Sequence, residues 1–179
     1  MTRRLTQSDW LDHGLDILTR YGADALKADP LSKSLGVSRG SFYWHFKSVG
    51  QFQEELLNRY HQQSTKDVIF ELEQGEAENQ RFERLMHRAV LVDKKLERAV
   101  RAWATQNVTA AKVVRKMDDV RLDYLATLLK SAGVADADVR SRAKFIYLAY
   151  LGSIMMGEGP APFAEVDIGA ITRLMLSYA

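Results

Sequence analysis

Apolar residues return every three or four positions along most of this chain, the interval that lines them up on one stripe of an α-helix. Trp10, Gly14, Ile17, Leu18 and Tyr21 form the first such stripe. Thr6 stands at the N-cap position and Asp9, three residues on, completes a capping box. Gly22 ends the run. A second helix is expected over "DPLSKSLG", with Asp29 as N-cap, Pro30 as first helical residue and Gly36 as terminator. Ser38 then caps a short third helix from Arg39, with Val37 and Phe42 placed as a hydrophobic staple across the cap.

The same spacing continues to the C-terminus. A fourth helix is expected from about Val49 into "ELEQGEAEN", with Gly75 in the connection that follows. Further helices are expected over residues 80–92, 94–106 and 110–132, the last ended by Gly133. "DADVRSRAKFIYLAYLGSIMMGEG" makes an eighth, and Pro160 and Pro162 break the chain before a ninth. No strand-like alternation bounded by turn signals interrupts this series. The pattern predicts an all-α fold of about nine helices.

Length and composition narrow the class. At 179 residues the chain can form one large domain or two smaller ones sharing a long helix. The 46% hydrophobic and 27% charged content is that of a globular protein and excludes a disordered one. The absence of cysteine removes disulfides and thiolate chemistry, and points to a reducing, cytoplasmic setting. Arg3 and Arg4 are not followed by an apolar run, so no signal peptide is expected. "FIYLAYLGSIMMG" is too short to span a bilayer, so no membrane association is expected.

The distribution of charge says more than its sum of +2. Residues 30–53 contain no Asp or Glu, while Lys33, Arg39 and Lys47 lie among them. In the same window Phe42, Tyr43, Trp44, His45 and Phe46 stand consecutively. Phe42 and Phe46, four apart, share a face that a core can bury. One short helix cannot turn all its aromatics inward, so some of Tyr43, Trp44 and His45 face out. Arg39, Gly40 and Ser41 occupy the first turn, whose N–H groups attract anions. Two short helices joined by a glycine turn, the second opening on small, basic and hydroxyl residues, describe a helix-turn-helix, and the one-signed patch fits DNA.

These residues carry a family resemblance. "LSKSLGVSRGSFYWHFKSVGQFQEELL" resembles the DNA-binding segment of TetR-family (tetracycline-repressor-like) transcriptional regulators, over roughly the first 60 residues. "LERAVRAWATQNVTAAKVVRKMDDVRLDYLATLLKSAG" is similar to a C-terminal domain of some members. The resemblance implies a three-helix DNA-binding domain over residues 1–48 and a ligand-binding and dimerisation bundle over residues 49–179. It further implies a homodimer that binds a palindromic operator in double-stranded DNA, represses, and releases DNA when a small ligand binds. Carried over residue by residue, it puts Ser38, Arg39, Gly40, Ser41, Tyr43, Trp44 and His45 in or beside the major groove, and Lys47 on a phosphate. Arg39 is the best suited to grip guanine through two hydrogen bonds, while Tyr43 and His45 suit phosphates. The chain departs from many members at Ala28-Asp29-Pro30, where they have Thr or Arg; Asp29 would repel a nearby phosphate.

The apolar eighth and ninth helices either fill a core or pair with a second copy, and the two-fold symmetry of operator reading favours pairing. Ile171, Leu174, Met175 and Tyr178 form the stripe of the ninth, and Ala149, Gly152 and Ser153 permit close approach. A ligand pocket is expected from large residues with polar or adaptable tips: Trp103, Tyr124, Tyr147 and Tyr150, completed by Met86, Leu128 and Met155. Taken singly, each of these is better explained as core; it is the set of polar tips that suggests a pocket. With no ionisable residue committed to the pocket, a neutral, lipophilic or aromatic effector is expected.

Other chemistry is thin. Asp9 with His13, and Asp119 with Asp123, lack a third metal ligand at motif spacing, so neither a metal nor a cofactor is expected. No phosphate loop, serine elbow or zinc-protease motif occurs, which argues against a helical small-molecule enzyme. His87 is expected inside the bundle. The basic residues Lys94, Lys95, Arg98, Arg101, Arg115 and Lys116 read as a solvated face. A DNA-binding regulator without a small-molecule effector, acting through a protein partner or as an activator, is the alternative to the ligand-released repressor.

Overall fold

A computed structural model of the chain describes residues 5–74, 78–156 and 165–177. Gly75, the Pro160 and Pro162 break, Arg3, Arg4 and Tyr178 lie outside the described residues. All regular structure among the described residues is helical. The α-helices are α1 (Gln7–Tyr21), α2 (Ala28–Ser34), α3 (Arg39–His45), α4 (Val49–His61), α5 (Asp67–Gln74), α6 (Glu78–Leu91), α7 (Lys95–Ala104), α8 (Val108–Ser131), α9 (Asp136–Met155) and α10 (Glu165–Leu176). The long fourth helix expected from sequence is divided into α4 and α5 by a π-helical turn at Gln62–Lys66. No described helix is long and apolar enough to cross a membrane.

Local signals set several boundaries. Thr6 accepts from the Asp9 backbone N–H and Asp9 accepts from that of Thr6, closing the capping box of α1. Ser48 caps α4 by accepting from the Gln51 N–H. Gly36 and Gly133, at φ 67° and 90°, end α2 and α8. In both, two backbone N–H groups turn back on the last carbonyls: Val37 to Ser32 and Gly36 to Lys33, then Val134 to Leu129 and Gly133 to Lys130. The start of α2 differs from expectation. Its N-cap is Lys27, without a side-chain hydrogen bond, so Asp29 and Pro30 lie inside the first turn. Proline is tolerated there because first-turn N–H groups have no helical partner.

The chain folds into two compact units, Met1–Ser64 with Lys95–Arg115, and Thr65–Lys94 with Lys116–Ala179. Thus α4 and α7 pack with the first three helices, whereas the sequence reading cuts the chain once, after residue 48. In the first unit Trp10, Phe42, Phe46 and Phe52 are fully buried. Phe42 is the hub, with ring centroids 5.4 Å from Trp10, 5.2 Å from Phe46 and 5.4 Å from Phe52. The Trp10 and Phe52 contacts are edge-on, and packing of that kind adds about 0.5–1.5 kcal/mol per pair beyond burial. Gly14 lets α1 approach α4: a Cβ there would lie 2.6 Å from Phe52 Cζ and 2.9 Å from Leu56 Cδ1. Tyr60 on α4 donates to the buried carboxylate of Glu97 on α7 at 2.6 Å, and Arg101 Nε donates to the same carboxylate at 2.9 Å. Arg101 is therefore not part of a solvated face.

The second unit has its own core of Phe82, Leu125, Leu128, Leu129, Ile146 and Tyr147. Polar side chains join its helices at the rim. Tyr124 donates to Glu73 at 2.8 Å, and Tyr147 to Asp118 at 2.6 Å. Arg142 donates to the carbonyls of Met175 and Ser177 at 2.8 and 2.7 Å, tying α9 to the end of α10. His87, expected inside, is about one-third exposed and sits 3.9 Å from Glu83 one turn away.

Candidate functional site

The tight turn at Gly36 and the buried pair Phe42 and Phe46 together orient α3. With those two rings inward, the remaining aromatics have only the outer face. Tyr43 is 43% exposed and Trp44 65% exposed, while Phe42 and Phe46 are sealed. His45 is half-buried, its ring 4.6 Å from that of Trp44 and 6.4 Å from that of Trp10. Ser38, Arg39 and Gly40 are exposed and Ser41 half-buried. Lys47 is exposed and immediately precedes the N-cap of α4, its backbone N–H held by Gln51 Oε1 at 2.8 Å. All eight residues assigned to DNA therefore lie on α3 or its two flanks.

Charge on this face is locally balanced. Arg39 Nε lies 3.3 Å from Asp29 Oδ1, and another guanidinium N–H donates to the Tyr43 hydroxyl at 3.3 Å. The guanidinium carbon also lies 5.4 Å from the Tyr43 ring centroid. The Tyr43 bond and then the Asp29 charge raise the Arg39 pKa, so it stays cationic throughout. Asp29, read from sequence as a helix cap, instead holds the arginine best suited to reading a base. No sequence signal marks this contact, because it depends on the angle between α2 and α3.

Further back, Asp9 is committed to Thr6, and His13 Nε2 shares a 2.6 Å hydrogen bond with Ser34. Burial lowers the His13 pKa, against a smaller raising effect of Asp16. Among the described residues no group of three or more acids and histidines could hold a metal ion.

The second unit contains a cavity of about 280 Å³ between α6, α9 and α10. Met86 and Tyr150, two of the seven residues expected in a pocket, line it. The other five lie elsewhere. Trp103 is buried in the first unit, Leu128 and Tyr147 belong to the core, Tyr124 is bonded to Glu73, and Met155 is 72% exposed. Burial, then the Glu73 bond, raises the Tyr124 pKa far above its ordinary range, so it remains a donor. The lining is otherwise supplied by residues that sequence reasoning assigned to helix pairing or passed over, among them Phe145, Ala149, Ile168, Ile171 and Leu174. Lys94, expected on a solvated face, is also part of it.

Comparisons with known proteins bear on both parts. Residues 11–56 match the family described as bacterial regulatory proteins, tetR family. YwcC, an uncharacterised helix-turn-helix regulator of Bacillus subtilis, is 32% identical over 77 residues, which are 43% of this chain and 34% of that protein. The matched stretch thus spans about a third of that relative's length. A TetR transcriptional regulator from Legionella pneumophila superimposes with a TM-score of 0.74 at 12% identity, covering 98% of this chain and 97% of the other. A Saccharomonospora viridis protein in complex with choline gives 0.73 at 16%, covering 94% and 92%. FadR of Bacillus subtilis in complex with stearoyl-CoA gives 0.70 at 15%, covering 96% and 98%. At these identities the structural likeness speaks for the fold.

Proposed function

We propose that this chain, whose residues 11–56 match the tetR family of bacterial regulatory proteins, is a cytoplasmic repressor of that family that binds a palindromic operator as a homodimer and is released by a small ligand. Residues 1–48 are the DNA-reading part, and residues 49–179 pair the protomers and take the ligand. The observation that carries the reading is the outward face of α3. Arg39, Tyr43 and Trp44 are exposed over a sealed Phe42 and Phe46 core, with Lys47 at the adjacent helix start. Ser38, Gly40 and Ser41 keep the first turn slim enough for close approach to a groove, and His45 supports Trp44 from behind. Arg39 grips a guanine edge, and Lys47 neutralises a phosphate.

Pairing is supported by a face with no covering partner among the described residues. Phe145 and Leu148 on α9 and Leu174 on α10 are each about two-thirds exposed, and Met155 more so. Exposed apolar surface of this kind is characteristic of association sites. The effector reading is supported by the cavity between α6, α9 and α10, and by choline and stearoyl-CoA in two structures of like fold.

The test is selection of DNA from a random pool by the purified protein, followed by titration of the selected sequence. Recovery of a two-fold symmetric site bound far more tightly than scrambled DNA is expected. Equal affinity for both would overturn the proposal.

A further inference from the structure

The cavity between α6, α9 and α10 runs from a buried interior to an exposed rim. Ile146 and Ile168 in its wall are buried, whereas Phe145, Ala149 and Leu174, which also line it, are exposed. The wall is therefore continued by side chains that already stand in solvent. An apolar ligand seated there would keep part of its own surface in water, at the rim these three residues form.

Two of them belong to a longer pattern on α9. The exposed positions from 145 to 156 are Phe145, Leu148, Ala149, Gly152, Met155 and Met156, and none carries a charge. In size they run large, large, small, small, large, large, an order that reads alike in both directions. Gly152 stands near the middle. Beyond its own helix, no described atom lies within 4 Å of where its Cβ would be. Glycine weakens a helix interior, and no described part of the protomer fills the space this one leaves.

A surface of this order fits a copy of itself. Across a two-fold axis that sets the two α9 helices antiparallel, small residues meet small ones and the helices approach closely. The Phe145 end of one copy then lies along the Met156 end of the other. An unrelated partner would have no reason to match an order that is the same from both ends. Because Phe145 and Ala149 belong both to this stripe and to the cavity wall, a copy that covers the stripe also covers the rim.

We infer that the cavity is a half-built site, roofed by the second copy, so that pairing and the binding of an apolar ligand strengthen each other. This rests on the pairing and effector readings above and adds the link between them. Linkage fixes the sign, since a ligand held more tightly by the pair than by the protomer must also tighten the pair. At about 280 Å³ the cavity is near the lower limit of ligand sites, so the ligand is of modest size.

The test uses decanol, an uncharged apolar probe, with the full chain and no DNA. Its affinity is measured by equilibrium dialysis above and below the protein concentration at which sedimentation shows the pair to separate. Paired protein is expected to bind decanol about tenfold more tightly than separated protein. That ratio corresponds to about 1.4 kcal/mol, or about 55 Å² of ligand surface removed from water. With one site per protomer, saturating decanol should lower the dimer dissociation constant about a hundredfold. Leu148→Glu, outside the cavity lining, should bind decanol as weakly as the diluted wild type. Ala89→Phe, which fills the cavity from α6 and away from the stripe, should abolish binding and leave pairing without decanol unchanged. Equal affinity in paired and separated protein, or a decanol effect on pairing that survives Ala89→Phe, overturns the inference while leaving the pairing reading intact. Failure of decanol to bind the paired protein overturns it as well. A wild type that never pairs removes both. The dilution comparison needs no variant, so it stands even if one fails to fold.

Discussion

Arg39 and Asp29 face each other across the α2–α3 turn at 3.3 Å, with both side chains more than half exposed. An exposed pair of this kind is readily broken, because water and salt compete for both charges. It nevertheless places a carboxylate beside the arginine best suited to a base. In the proposed complex, DNA must take Arg39 from Asp29 while bringing phosphates near that carboxylate. Asp29→Asn is therefore expected to strengthen binding to operator and scrambled DNA alike, by several-fold at low salt, with the gain shrinking as salt rises. The fold should tolerate the change, since the Asp29 side chain does not cap α2. Fluorescence titration across ionic strength measures it, and an unchanged or weaker affinity would show that Asp29 has no part in the encounter.

Arg39→Ala and Lys47→Ala should fail in different ways. Loss of Arg39, proposed to read a base, is expected to cost about tenfold or more on the operator and little on scrambled DNA, so that discrimination narrows. Loss of Lys47 should weaken both DNAs alike and lower the salt slope by about one unit. The two variants titrated on both DNAs separate the roles. Unchanged discrimination in Arg39→Ala would mean that the arginine reads no base.

Gly14→Ala tests the packing behind α3. In an exposed helix this substitution would stabilise by up to about 1 kcal/mol. Here the new Cβ falls 2.6 Å from Phe52 Cζ. Forcing the helices apart is expected to cost about 1–3 kcal/mol in a denaturant melt, reversing the sign. A variant more stable than the wild type would show that Phe52 can yield.

The pairing face is tested by Leu148→Glu. Leu148 is 65% exposed and stands outside the cavity lining, so a carboxylate there should leave the protomer folded. Buried in a dimer, the same carboxylate would have to lose its hydration. Sedimentation is expected to show a dimeric wild type at micromolar concentration and a monomeric, normally melting variant. A monomeric wild type would defeat the proposed pairing.

His13 gives a pH signature. Burial holds its folded pKa below the ordinary value of 6.5. As pH falls, the unfolded chain takes up the proton first, so stability is whole above about pH 6.5 and declines below it until the folded form also protonates. Denaturant melts of wild type and His13→Gln from pH 8 to pH 5 should show a shallower decline in the variant. Parallel profiles would assign the acid sensitivity to other groups.

Much of this protein is written in short stretches of its sequence. Thr6 with Asp9 and the left-handed glycines at 36 and 133 set helix ends within a few residues, because caps and turns are satisfied by near neighbours. The split of the aromatic run, with Phe42 and Phe46 inward and Tyr43 and Trp44 outward, follows from helical periodicity alone. The outward residues of α3 were legible for the same reason, being confined to one short helix and its flanks. Tertiary structure decided whatever depends on how separate helices meet. It set Asp29 against Arg39, and Tyr60 against Glu97 across 37 positions of sequence. It sent Trp103 to one unit and Tyr124, Tyr147 and Leu128 to the rim and core of the other, although all four share the same polar-tipped or apolar character in sequence. The cavity arises where α6, α9 and α10 leave space between them, and a void belongs to no single segment, so its lining could not be read from periodicity.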